Sequence, residues 1–594
     1  MEYPTLNVTE KSRQMIDVFL GYNHNIRIGE NEFYDMENMT SDYYPVLAPR
    51  KGRDLSSNRT GITGMIAKDK LWHTIGSELV SGTKRYDLGL TSDAKHWMVS
   101  MGANIIILPE KKYFNTQTEE YGDIEAHVTT SGKVSFELCE MDGASYGTIE
   151  ASETEPDKTD GKLWIDKSTT PHTLKKYSAV NAVWVSIATT YVKITCKDSN
   201  IGETFKQYDG VTISGITADG VKDLNSTTSI WSADGDSIVV TGIIDQIATQ
   251  NTPICISRWM PTFDFIIESK NRLWGGCYGK TYMGYIYNTV TGKTEPAESA
   301  DSVNEIRCCK LGDFKNWNCF MGLSTDSYAV SVGTDGYFTG AIAHMGYPCF
   351  FKENALHKVY GDYPSNYRVQ DIACRGVQSD CERSLAIINE ILYYKSRDGV
   401  CAYDGALPEL VSRQFGSEEY FASAAGAIGD KYYISMRISP SRYVLFVYDT
   451  AKGVWHKEDD LCVEHFAYIA GSLFGISGEG KEIHLAGAIE QHSEKVEWMV
   501  ETGELGLSSP DMKYVSRMNV RMSLAIGSTV EFYIQYDQVD MWEHLFTMTG
   551  TSLRSFSVPI RPKRCDHMKL RIEGVGDAKI YSITKTIEQG SELS

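Results

Sequence analysis

The chain has 594 residues, 58 Lys and Arg against 78 Asp and Glu, a formal charge of −20 and 11% aromatic residues with 35 Tyr. That length exceeds one ordinary core, and the acidity argues against gripping nucleic acid through its phosphates, which needs a basic surface to release counterions. No run of 18 apolar residues occurs and the N-terminus lacks a basic segment followed by an apolar one, so neither a membrane span nor secretion by the general route is expected. The 13 cysteines are scattered without CxxC pairs, which reads as reduced core thiols and makes zinc an unsuitable expectation.

In chain order, residues 1 to 20 are polar and read as an arm or an edge strand. From Gly21 to Arg53 runs GYNHNIRIGENEFYDMENMTSDYYPVLAPRKGR, in which Asn38 can bond local backbone and Pro45 and Pro49 hold the chain extended. Arg50, Lys51 and Arg53 present cations suited to carboxylates across a protein contact, although a solvated turn would read the same way.

From Gly61 a strand-turn-strand rhythm begins, with GITGMIAKDKLWHTIGSEL followed by NIIILPEKKYFNTQT. Residues 121 to 258 interrupt it with a Thr, Ser, Asp and Gly-rich stretch holding Asp-Gly pairs at Asp142, Asp160, Asp209, Asp219 and Asp234, the hairpin signal of an inserted β domain or two. The rhythm resumes at Phe263, with a turn at Lys270-Asn271 and an LWGGCYG strand whose glycines permit close packing, then turns at Asn389-Glu390 and Asp398-Gly399.

Ile428 to Leu485 is the fullest statement of the pattern. Asp430 and Lys431 read as a turn, Tyr443 to Tyr448 as a continuous apolar strand, Asp449 to Gly453 as a turn, and Gly478 to Lys481 as a further hairpin loop. One such four-stranded sheet cannot bury both faces alone, so it requires neighbours, and counting units from Gly61 to Leu485 predicts a β-propeller of about six or seven blades. Beyond Trp498, strict alternation at Val520, Met522 and Leu524, at Val530, Phe532 and Ile534, and at Met568, Leu570 and Ile572 predicts a C-terminal β-sandwich.

The segment from Gly21 to Arg53 resembles the opening of virion proteins of short-tailed bacteriophages, the tail nozzle or tail-tubular and packaged-DNA stabilisation proteins, through Gly29, Glu30, Glu32, Asn38, Met39, Leu47, Arg50, Gly52 and Arg53. The C-terminal region is similar to the same proteins through Lys513-Tyr514, Trp542, Pro559-Ile560-Arg561-Pro562 and Arg564-Cys565-Asp566, and Phe351 with Val359-Tyr360-Gly361 resembles one of their propeller loops. The resemblance implies a virion tail protein assembled in the host cytoplasm: a ring, a hexamer, below the portal and adaptor and beside fibre or tip proteins, through which double-stranded DNA is retained and ejected without tight binding. Ring contacts are expected from residues 121 to 258 and the sandwich, and partner contacts from Arg50, Lys51, Arg53, Arg561, Lys563 and Arg564.

The expected organisation is therefore all-β: 1–60 an N-terminal arm and signature, 61–120 first propeller strands, 121–258 an insertion, 259–490 remaining blades and 491–594 the sandwich. Closure of the propeller predicts that a segment near Gly61 pairs with strands near Ile483. Searches for chemistry return no GxxxxGK[ST], HExxH, GxSxG or Rossmann fingerprint, so no enzyme, cofactor or metal is expected. SADGDS at Ser232 reads as a plain hairpin, Cys401 as packing, His456, His465 and His484 as structural histidines, and Glu458, Asp459 and Asp460 as a solvated turn. Two alternatives stay open: a tail-tip or fibre protein that binds a cell-surface glycan, possible contact with the host surface included, and a glycan-active propeller enzyme.

Overall fold

The computed structural model describes residues 11–53, 59–487, 495–507, 512–537 and 541–589. The chain is all-β, with propeller blades, an inserted β domain and a C-terminal β-sandwich. It divides into two compact units, one comprising Met1–Lys95, Phe351–Asn354 and Ala373–Ser594, the other His96–Phe350 and Ala355–Ile372.

In the first unit, blades span residues 62–87, 386–410, 421–457 and 463–487; the last has three strands and the others four. Their logic is clearest in Lys431–Ser439 and Arg442–Asp449, which pair antiparallel with Tyr432 opposite Tyr448 and Ile434 opposite Phe446. Tyr432, Ile434, Met436 and Phe446 turn to one cluster with Trp455, while Tyr433, Leu445 and Val447 turn to another with Val463, Leu473 and Leu485 of the next blade. A strand buried on both faces has no polar alternation, which is why Tyr443 to Tyr448 is continuously apolar. Burying each such side chain contributes roughly 1.5–3 kcal/mol.

Turn chemistry sets the hairpins. Asn389 and Glu390 both adopt positive φ, as two-residue loops that follow the strand twist require. The loop before Lys431 is Gly429-Asp430, not Asp430-Lys431, because Ile428 pairs directly with Lys431. At Asp449 to Gly453 the Gly453 amide donates to the Asp449 carbonyl at 2.8 Å, with Gly453 at φ 69°.

The C-terminal sheet is built on the 24-residue strand Lys513–Tyr536. Its first half, to Leu524, pairs with Ala578–Gln589, and its second, from Thr529, pairs with Met568–Val575. Glu543–Val558 follows it along the other side through both halves. Between the halves Ile526 is fully exposed and Gly527 takes φ 81°, so the sheet bends there. Val520 and Met522 from one half and Phe532 and Ile534 from the other join Leu570, Ile572, Ile580 and Ile583 in one core.

The N-terminal strands belong to this sheet and not to a blade. Lys11–Ile16 pairs with Ala578–Gln589, and Phe33–Glu37 pairs with Glu497–Thr502. Near Ile483 the expected closure takes the form of contacts between neighbouring blades: the Ile62 amide donates to the Gly480 carbonyl at 3.1 Å, His73 Nε2 lies 2.8 Å from Glu482, and Ile62 and Met65 pack on Ala467 and Ile476. The expected boundary at 490 and residues 1–10 of the arm lie outside the described residues.

In the second unit, blades run over 97–123 and over Ile266–Ser269, Arg272–Gly279, Val303–Cys308 and Tyr328–Ser331; a further blade runs over 340–373, all but residues 351–354 and 373 of it in this unit. Lys270 and Asn271 form their turn with φ of 52° and 58°. Gly275 and Gly276 are required by close approach, since a Cβ there would lie 2.4 Å from the Phe263 ring and 2.6 Å from Phe338. The stretch that resembles a propeller loop through Phe351 and Val359-Tyr360-Gly361 is instead built of the strands Tyr347–Lys352 and Ala355–Tyr360 of a blade.

Tyr121–Asp123 completes the blade of Trp97–Met101, so the insertion begins after it. The insertion holds an eight-stranded sheet whose outer strand Ala126–Thr129 pairs with Cys255–Arg258, and a small sheet of Glu150–Ser152, Leu163–Asp166, Thr173–Ser178 and Val183–Ser186. Phe136, Ile194, Ile213, Ile238 and Ile256 form its own core. The Asp234 to Ser237 turn is a hairpin, with Gly235 at φ 49°. The hairpin Tyr282–Asn288 and Lys293–Glu298 belongs here and not to a blade: the Tyr285 amide donates to Ser257 Oγ at 3.1 Å and the Tyr287 amide to Ser214 Oγ at 3.0 Å.

All 13 cysteines are free thiols. Among the described residues no helix is long and apolar enough to cross a membrane, and no group of three or more His, Cys, Asp or Glu could hold a metal ion.

Candidate functional site

The segment from Gly21 to Arg53 runs through the first unit between the blade of 421–457 and the C-terminal sheet. Gly21 is fixed by close approach: the Tyr22 amide donates to the Trp455 carbonyl at 2.7 Å, and a Cβ on Gly21 would lie 2.3 Å from that oxygen. Asn38 sits at φ 58°, a conformation Asn tolerates better than most residues. Its Nδ2 donates to the Glu497 carbonyl at 2.9 Å, its Oδ1 accepts from Arg50 Nε at 2.8 Å, and its amide donates to the Glu458 carbonyl at 2.5 Å. One side chain and its backbone thus tie the segment to a blade and to the sandwich.

Arg50 and Arg53 are corrected from partner contacts to internal ones. Arg53 donates to Glu458 and to Asp459, and Arg50 Nη2 lies 3.0 Å from Asp459. Glu458 is buried, so the expected solvated turn is a buried ion cluster. Burial opposes the charge on Arg53, but Glu458 and Asp459 outweigh it and raise its pKa, whereas on Arg50 burial and the neighbouring Arg53 prevail and lower it. The sequence hides this because the carboxylates stand some 400 residues from the arginines.

Glu30 accepts from Lys585 and from the Gly506 amide, and the Leu47 amide donates to Ile580 at 3.1 Å. The resembling residues are therefore a structural seam. Lys51 differs from its neighbours and is exposed. Arg561, Lys563 and Arg564 are exposed too, on the connection between Glu543–Val558 and Met568–Val575; Lys563 pairs with Glu543 and stands 5.3 Å from the Tyr536 ring centre.

The three histidines singled out do not converge on a ligand. His456 is buried with its pKa pushed down to about 3 by burial and by Lys431. His465 Nδ1 is 2.8 Å from Arg383 Nη1, and His484 stacks edge-on against Phe474 at 5.3 Å. Cys401 is buried and donates to Ser396 Oγ at 3.3 Å, as a packed thiol does.

Two clefts border Lys51. The first, about 430 Å³, is lined by Asp42, Arg50, Lys431, Asp449, Lys452 and Glu458 among others. Lys51 apart, these charges are already spent: Asp42 pairs with Lys431 at 2.6 Å, Asp449 accepts from Ser41 at 2.6 Å and Lys452 at 2.9 Å, and Glu458 holds Arg53. The second, about 470 Å³, lies between the loop at Tyr43 and the bend of the C-terminal sheet, lined by Tyr43, Pro49, Lys51, Ser523, Leu524, Thr551, Ser552, Asp577, Lys579 and Tyr581. Nothing in the sequence marked it, because it is assembled from four separate stretches.

No family model matches the chain, and no curated protein matches it either. Among solved structures it is similar to an exo-β-1,3-galactanase from Phanerochaete chrysosporium with galactose, at 7% identity and TM-score 0.20 over 54% of this chain and 94% of that one. It is also similar to the extracellular domain of a putative one-component system from B. thetaiotaomicron, at 10% identity and TM-score 0.16 over 87% and 98%. A third is a surface component of the type-IX secretion system of Porphyromonas gingivalis, at 10% and 0.17 over 89% and 77%. The expectation that the chain is not an enzyme is withdrawn, since the first of these neighbours is an exo-β-1,3-galactanase; at such TM-scores the likeness carries no argument about a reaction or a ligand of this chain.

Proposed function

We propose that this chain is a component of a short-tailed phage tail of the nozzle type, building a ring through which double-stranded DNA passes. What supports this reading is that several of the resembling residues form one device: Glu30, Asn38, Leu47, Arg50 and Arg53 each bond across the seam that joins blade to sandwich. A match scattered over unrelated surface positions would carry less. The charge of −20 suits a wall past which phosphates slide instead of sticking. The test is imaging of the purified full chain together with peptide mass spectrometry of virions from the host that carries it. Rings of one copy number, a hexamer by the resemblance, are expected; a species that stays monomeric and is absent from virions overturns the reading.

A second reading, recognition of a cell-surface glycan, is favoured by the cleft at Tyr43 and Tyr581, whose aromatic rings and hydroxyls are the groups that hold sugars.

A further inference from the structure

We propose that the cleft between the Tyr43 loop and the bend of the C-terminal sheet binds an anionic saccharide. Tyr43 and Tyr581 supply apolar faces for a sugar ring, Asp577 and the hydroxyls of Ser523 and Ser552 accept or donate to its hydroxyls, and Lys51 and Lys579 take its carboxylate or phosphate. This deepens the glycan reading and rests on it.

The first observation is what the polar groups are doing. Among the described residues, no protein hydrogen bond or ion pair engages the side chains of Tyr43, Lys51, Ser523, Ser552, Asp577 or Tyr581, and Lys579 is held only by the Tyr43 ring, with Nζ 3.8 Å from its centre. In the neighbouring cleft of similar size every charged group named above is neutralised within the chain. The two clefts share Lys51, so the difference is in their walls. A volume of about 470 Å³ lies in the range of ligand pockets and admits a sugar unit or two.

The second observation is rigidity. The floor is the ladder where Leu524 faces Ala578, both buried, and the opposite wall is Pro49, buried in the pair Met39–Thr40 with Ala48–Pro49. Tyr43 is held by its carbonyl, which accepts from the Val46 amide at 2.9 Å, and by the cation over its ring. Such a site needs little reordering to bind, which favours affinity.

The third is charge. Two lysines against one aspartate make the cleft locally positive in a chain of net −20, so an anionic ligand is drawn here more than to the surface at large. Neutral sugars would use the tyrosines and Asp577 but leave Lys51 without a counter-charge and Lys579 with only the Tyr43 ring.

Calorimetry on the full chain, with an oligogalacturonide for carboxylate, a phosphomannan oligomer for phosphate and a cello-oligosaccharide of equal length as the neutral probe, tests this. At least one anionic probe should bind, about tenfold or more tighter than the neutral one, and Tyr43→Ala, Tyr581→Ala and Lys579→Gln should each weaken it about tenfold. Lys579→Arg should retain binding, and Lys563→Gln, on the separate Arg561 to Arg564 connection, should leave it unchanged. Circular dichroism guards against misfolding. Absence of binding by all three probes overturns the glycan reading and this proposal together. Binding that is indifferent to charge, or that survives the tyrosine and lysine variants, overturns this proposal alone and leaves the glycan reading standing.

Discussion

Arg53 and Glu458 show how one residue pair decides the seam. Both are nearly inaccessible, at 8% and 5% exposure, so removing Arg53 leaves the buried Glu458 charge with only the longer contact to Arg50 Nε, at 3.9 Å. Arg53→Ala should therefore cost about 3–5 kcal/mol in chemical unfolding, while Arg53→Met combined with Glu458→Leu should recover most of it, since an apolar pair of like volume avoids the desolvation. Lys51→Ala, at the exposed position two residues before Arg53, should stay within about 0.5 kcal/mol. His456 makes a second statement about the same region. It is buried and neutral, its pKa lowered from 6.5 to about 3 by burial first and by Lys431 and Lys452, against the opposite pull of Asp449 and Asp42. The unfolded chain takes up this proton at the ordinary value and the folded chain does not, so the contribution is fully present above about pH 6.5 and is lost as pH falls from there toward 3. Of the order of 2 kcal/mol should disappear between about pH 6.5 and 4.5 in urea unfolding, and His456→Gln should remove that part of the slope. Equal slopes in the two proteins would refute the assignment.

At the scale of elements, the bent strand Lys513–Tyr536 carries two sheets' worth of pairing, and Gly574 marks where its partner strand meets the core. A Cβ there would lie 2.3 Å from the ring of Trp498 and 2.9 Å from the Thr529 carbonyl, and Trp498 is fixed by donating to Gly576 at 3.0 Å. Gly574→Ala should thus destabilise by about 1–3 kcal/mol without changing the fold, read by chemical unfolding and far-ultraviolet circular dichroism. Elements of this kind were legible where the physics is local. Val530, Phe532 and Ile534 alternate with polar residues because one face is buried, and Lys270-Asn271 and Asn389-Glu390 each announce a turn through their asparagine. What was illegible is long-range. Lys11–Ile16 gives no hint that it pairs with residues more than 560 positions away. Arg50 reads as solvated until Asp459 is folded beside it, and Tyr282–Asn288 has blade rhythm although its partners are Ser257 and Ser214. The cleft is illegible for the same reason, since Tyr43, Ser523, Ser552 and Asp577 share no local pattern.

On the scale of the whole molecule, the insertion has the topology of a removable part. Its first strand, Ala126–Thr129, pairs with its last, Cys255–Arg258, with Ala126 opposite Arg258, so its two ends emerge about 5 Å apart. Its core of Phe136, Ile194, Ile213, Ile238 and Ile256 draws only on residues between those ends. A piece from 125 to 259 should therefore fold by itself, with dispersed amide resonances and a cooperative unfolding transition. It should be less stable than in the parent, because Asp209 keeps Arg258 at 2.7 Å but loses Asn316 Nδ2, at 2.8 Å, and the Gly210 amide loses Asn316 Oδ1, at 2.9 Å. The reciprocal deletion, closed by a short glycine linker that spans only the width of a strand pair, should leave the blade of Trp97–Met101 intact, since that sheet is completed by Tyr121–Asp123 before the insertion begins. The Tyr282–Asn288 hairpin would then lose its seat, so it should be the first segment of the deleted protein to exchange its amide protons. Collapse of both pieces would show that the insertion and its host share one folding unit. If the deleted protein folds, its assembly state decides the ring contact as well: loss of rings assigns the contact to the deleted piece, and rings that persist move it to the sandwich, whose strand Glu543–Val558, among the described residues, pairs on one side only and offers its other edge.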